Sequence, residues 1–88
     1  MSYKFKQKEM PTVFIVFGLR FMFFANDHEP IHIHVVKDDA EAKFSVLPEI
    51  KMIYNHGLKA SDLRKAKTII TDNAEIIIER WNEFFNNN

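Results

Sequence analysis

The apolar residues change period near Ser61, and that change limits the fold more than any other feature of the chain. From there onward Leu63, Ala66, Ile70, Ala74, Ile77, Trp81 and Phe84 recur every three or four residues, the spacing that draws one stripe along an α-helix. Before it, Thr12 to Phe17 and Leu19 to Ala25 are crowded with Val, Ile and Phe, whose branched or flat side chains suit a pleated surface. Gly18 between them tolerates the backbone angles of a tight turn. Strand chemistry resumes at His32 to Val36, Glu41 to Leu47 and Ile50 to Tyr54, with turn residues at Asn26 to Pro30, Lys37 to Asp39 and Pro48-Glu49. A sheet followed by a helix predicts an α+β fold: a small antiparallel β-sheet of four to five strands packed on one long C-terminal α-helix. Ser61 is the expected N-cap, and Thr71-Asp72-Asn73 is a weak point where the helix can bend or restart. Residues 1–9, with Lys4, Lys6 and Lys8, read as a basic arm, 10–85 as a single domain and 86–88 as a tail.

An 88-residue chain that is 47% hydrophobic can bury one core and has no room for two. Cysteine is absent, which removes disulfides, thiolate nucleophiles and zinc–thiolate sites and leaves His, Asp and Glu as the metal-ligating set. Twelve basic and twelve acidic side chains cancel, so bulk charge gives no support to nucleic-acid binding. The apolar run from Val13 to Ala25 is interrupted by Gly18 and Arg20 and is too short to span a bilayer. No membrane association and a cytoplasmic location are therefore expected.

Chemistry concentrates in Asn26-Asp27-His28-Glu29-Pro30-Ile31-His32-Ile33-His34, where three imidazoles and two carboxylates fall within eight residues. His32 and His34 are two apart on a predicted strand and share a face, while Ile33 and Val35 face the core. His28 stands in the preceding loop. Spacing leaves three readings open. His28, His32 and His34 can bind a divalent metal ion facially. Without a metal, His32 or His34 can act as general acid or base, with Asp27 as a third catalytic candidate. In the third reading the imidazoles are hydrogen-bonding structural residues and Asp27 accepts backbone N–H groups of its own loop. His56, in the turn before the helix, reads as an exposed residue.

Lys59, Arg64, Lys65 and Lys67 crowd the start of the helix, while Glu75, Glu79 and Glu83 occupy its second half. This order opposes the helix dipole, which favours acids at the N-terminus by about 0.3–1 kcal/mol each. The four cations are thus candidate binding residues for an anion such as RNA phosphate or an acidic partner, weighed against simple solvation of an outer face. Phe14, Phe17, Phe21, Phe23 and Phe24 read as core, with a surplus that could form a protein–protein or homo-oligomer contact.

Met10-Pro11-Thr12, Gly18 and Phe24-Ala25-Asn26-Asp27-His28-Glu29-Pro30-Ile31-His32-Ile33-His34-Val35 resemble the small bacterial family named domain of unknown function 4160, whose motif is Asp-His-x-Pro-x-His-x-His-Val. Ala40-Glu41-Ala42-Lys43-Phe44 and Trp81-Asn82-Glu83 are similar to its continuation. Here Ile31 stands where the family commonly has a second proline. The resemblance implies a stand-alone protein encoded beside another small protein, in an arrangement like a toxin–antitoxin pair, with Asp27, His28, His32 and His34 as active residues. Two functions follow as expectations: a partner-binding component of such a pair, or a metal-dependent or His-based nuclease-like enzyme acting on RNA.

Overall fold

A computed structural model describes residues 11–86; the basic arm of residues 1–9 lies outside the described residues. Five strands, β1 (Thr12–Val16), β2 (Leu19–Met22), β3 (His32–Lys37), β4 (Ala40–Ser45) and β5 (Lys51–His56), form one antiparallel sheet in sequence order. Each pairs with the next in the chain, so β1 and β5 are the two edges. The β3–β4 register sets Lys37 opposite Ala40, Val36 opposite Glu41, His34 opposite Lys43 and His32 opposite Ser45. Opposed residues share a face, so this hairpin fixes which side chains surround the histidines.

The chain then forms α1 (Ala60–Asp72) and α2 (Ala74–Trp81), and α2 runs on into a wider π-type turn over Asn82–Asn86. The single long helix expected from the apolar stripe is therefore two. Asn73 interrupts it with φ −120° and ψ 20°, and its side-chain amide donates to the Ile69 carbonyl, the local competition with helix bonds that Asn favours. The N-cap is Lys59 rather than Ser61, which lies inside the first turn, and no side chain caps that end.

Leu19, Phe21, Ile33, Val35, Ala42 and Phe44 from the sheet pack against Ala66, Ile70, Ile77 and Trp81 from the helices. These positions alternate along the strands and recur at three or four along the helices, so one sheet face and one helical stripe bury each other. His32, His34, Glu41, Lys43 and Ser45 belong to the other face. Lys37 bonds Asp62 on α1 at 3.3 Å, and His32 packs on Trp81 at the end of α2. The helical layer thus starts near the Lys37 end of β3 and finishes near its His32 end. Among the described residues no helix is long and apolar enough to cross a membrane.

Candidate metal centre on the second sheet face

The loop between β2 and β3 folds back over the start of β3. Asp27 closes it: its N–H donates to the Phe24 carbonyl at 2.9 Å, and its Oδ2 accepts the Phe24 N–H at 2.8 Å. This reciprocal pair fixes the carboxylate and leaves Oδ1 aimed at the strand. Oδ1 lies 3.0 Å from His32 Nε2 and 3.1 Å from His34 Nε2. Phe24 stacks flat on His34, with ring centroids 3.6 Å apart and planes 4° from parallel, and Trp81 lies against His32 at 5.2 Å. The two imidazoles are consequently buried, 5% and 3% exposed, where a bare strand face would have left them half open.

The other ring nitrogens are held as well. His32 Nδ1 lies 2.9 Å from the Pro30 carbonyl, which can only accept, so Nδ1 carries the proton. His34 Nδ1 lies 2.7 Å from Glu41 Oε2, which also accepts the Tyr54 hydroxyl at 2.8 Å. A carboxylate bonded in this way makes His34 Nδ1 a donor too. In a neutral ring Nε2 is then a lone pair facing the carboxylate oxygen, whereas a protonated ring donates from Nε2, as the 3.1 Å hydrogen-bond geometry of His34 to Asp27 Oδ1 allows. His32 Nε2 is buried and makes no aligned hydrogen bond among the described residues, despite its 3.0 Å approach to Asp27. Such a meeting of three acceptors is repulsive unless protons or a cation sit among them.

Burial by itself would raise the Asp27 carboxyl. The Phe24 N–H, together with the hydrogen bonds and the positive charge that the imidazoles supply when protonated, outweighs it and holds the carboxyl below its usual value, so Asp27 is an anion. Burial, the hydrogen bond to Glu41 and the charges of Glu41 and Asp27 push the Tyr54 phenol up to about 12. Folding therefore favours the protonated phenol. Its contribution is complete below the ordinary value of 10.0 and drains away as pH rises toward about 12. Chemical unfolding followed across that alkaline interval should show falling stability, with a shallower fall for Tyr54→Phe. An equally steep fall in that variant would remove the phenol–Glu41 bond from the account.

Of the residues singled out in the sequence, the structure brings together Asp27, His32 and His34, whose ligating atoms all lie within 4.8 Å of one another. His28 is exposed on the loop and stands outside that group. His56 is exposed at the end of β5, stacked on Tyr54. The four cations near the helix start stand in three different settings. Lys59 lines a mixed-charge depression with Lys37, Asp38, Asp39 and Asp62. Arg64 and Lys67 line another with Asp72, and the Lys65 ammonium lies 5.5 Å over the Phe17 ring. Lys37, which anchors α1 through Asp62, is five residues along β3 from His32, about 16 Å at strand spacing.

Glu41, Tyr54, Phe24 and Trp81 complete the site, and sequence reasoning passed over all four. Glu41 was within reach: a turn at Asp38-Asp39 pairs Val36 with Glu41, which puts its carboxylate on the His34 face. Tyr54, Phe24 and Trp81 approach through β5 pairing, loop folding and helix packing, none of which leaves a local mark.

Neither the curated proteins nor the solved structures contain a match to the chain. Among protein families, residues 18–82 match the one described as Domain of unknown function (DUF4160). That span covers well over half of the sequence and includes the loop, both strand histidines and Trp81, and the chain belongs to the DUF4160 family.

Proposed function

We propose that this domain binds a divalent transition-metal ion through His32 Nε2, His34 Nε2 and Asp27 Oδ1 and uses it as a reaction centre. One observation carries the reading: both Nδ1 groups are tied to acceptors, so two imidazole lone pairs converge on a carboxylate oxygen at 3.0 and 3.1 Å. Ligands about 2.0–2.1 Å from one ion stand roughly 2.9–3.4 Å apart, depending on coordination number. The acceptors behind the rings also support it, since ligating histidines ordinarily donate their far N–H to a carboxylate or a backbone carbonyl. Two imidazoles with one carboxylate suit zinc, iron, manganese or nickel, and three protein ligands leave positions open. When bound, such an ion supplies Lewis-acid activation of an anionic oxygen.

The test is elemental analysis of protein purified without a tag, followed by titration of stripped protein with zinc, nickel and manganese. About one ion per chain is expected, with binding that weakens in acid as protons compete for the rings. Uptake no tighter than that of a variant carrying Asp27→Ala, His32→Ala and His34→Ala would overturn the proposal; the cluster would then be closed by protons. Nuclease-like action on RNA is a narrower form of this reading.

A second reading, association with another small protein as in a toxin–antitoxin-like pair, is supported by the β1–β2 turn. Phe17 and Gly18 occupy its two central positions with φ 55° and 74°, a geometry that prefers Asn-Gly. Phe17 is nevertheless there, 68% exposed, with Ile15 57% exposed beside it. Left-handed backbone costs such a residue about 1–2 kcal/mol, of which contact with Lys65 returns about 0.5–1. Phe17→Asn should stabilise the free chain by roughly 0.5–1 kcal/mol and weaken its complex with the neighbouring gene product, as measured by calorimetry. Unchanged affinity would remove this turn from any interface.

A further inference from the structure

We propose that the open side of the metal centre is built to receive a small substrate through one anionic oxygen group, a carboxylate or a phosphate, with Lys43 as the residue that holds it. This rests on the metal reading above and adds its substrate class. Register places Lys43 directly opposite His34 on β4 and Ser45 opposite His32. Asp27, His32, Lys43 and Ser45 line one open depression of about 350 Å³, with the loop residues Asn26 to Pro30 forming its other wall. Two of the three cluster residues, Asp27 and His32, therefore border a mouth, and Lys43 stands in it.

Lys43 is half-buried, and among the described residues its ammonium makes no ion pair. Ser45 is not available as a second donor, because its hydroxyl already donates to the Glu49 carbonyl. Lys43 is thus the cation of the mouth. The charge balance points the same way. Asp27 and Glu41 together cancel a divalent ion, the Tyr54 phenol stays protonated, and the Lys43 ammonium leaves one net positive charge beside the open metal positions. A single anionic oxygen group bridging metal and ammonium completes that balance, and a charge-assisted N–H···O contact gives it direction. Glu29 at the rim is exposed, where water screens it.

The experiment uses full-length protein loaded with Co²⁺, whose visible absorption reports changes among its ligands. Acetate and inorganic phosphate are titrated separately, each against wild type, Lys43→Met and the control Lys51→Met, whose lysine faces Glu49 on the exposed edge. Saturating spectral change with at least one anion is expected. Lys43→Met should weaken it about 10-fold or more without weakening Co²⁺ binding, and Lys51→Met should match wild type. Saturation by acetate alone identifies a carboxylate substrate, and saturation by phosphate alone a phosphate ester. If Co²⁺ binds but neither anion perturbs it, or Lys43→Met responds like wild type, the anion site is overturned while the metal centre stands. Failure to bind Co²⁺ overturns both.

Discussion

Replacing His34 with Ala lowers the affinity for a divalent transition metal by more than about 100-fold, since removing only an outer partner of such a ligand commonly costs 10–100-fold. Competition with a chromophoric chelator measures it, and far-ultraviolet circular dichroism confirms that the fold survives. His32→Ala and Asp27→Ala should behave alike, because each removes one of the three converging atoms. Glu41→Ala removes the acceptor that orients His34 through its 2.7 Å bond and should fall in the 10–100-fold range. His28→Ala is the discriminating control. That ring is exposed and outside the cluster, so affinity should not change. If instead His28→Ala weakened binding as much as His34→Ala while Asp27→Ala did not, the three histidines would be the ligands and the geometry described for Asp27 would be wrong.

Trp81→Ala should cost about 3–5 kcal/mol of folding stability, the range for emptying a large aromatic site in a packed core. Trp81 is 1% exposed and lies against Phe23 at 5.3 Å, Phe85 at 4.3 Å and His32 at 5.2 Å. It therefore joins sheet, helix end and candidate site. In a domain of this size the loss corresponds to a fall in Tm of roughly 15–30 °C, and metal affinity should fall with it because His32 loses a wall. Trp81→Phe is informative in the other direction. The indole N–H is buried without a hydrogen-bond acceptor among the described residues, and an unsatisfied buried donor costs about 1–3 kcal/mol. Phe keeps most of the ring contact and discards that donor, so this variant should lose far less stability than Trp81→Ala. Equal losses in the two variants would mean that the indole N–H does have a partner.

The cluster and the core depend on each other through these residues. Phe24 and Trp81 exclude water from the two imidazoles, which strengthens every charge interaction there and raises the cost of leaving the three acceptors without a cation. Asp27 is held by its own turn rather than by the sheet. On the proposed reading, the loop side is where substrate would meet the ion.

Much of this was legible in the residues themselves. The switch from strand-favouring runs to a period of three to four gave an α+β order that the structure keeps, with five antiparallel strands where four to five were expected. The break at Asn73 was marked by Thr-Asp-Asn, residues that compete with helix bonds through their side chains. His32 and His34 were bound to share a face because successive strand side chains alternate. These are local consequences of chain geometry, and a sequence carries them directly. What only the tertiary structure decided was who meets those histidines. The choice of Asp27 over His28 depends on a turn that points one side chain inward and the next outward. The approach of Tyr54 depends on the pairing of β5, and that of Trp81 on how the second helix crosses the sheet. Contacts between residues far apart in the chain follow from packing a whole core at once, and no short stretch of residues records the outcome.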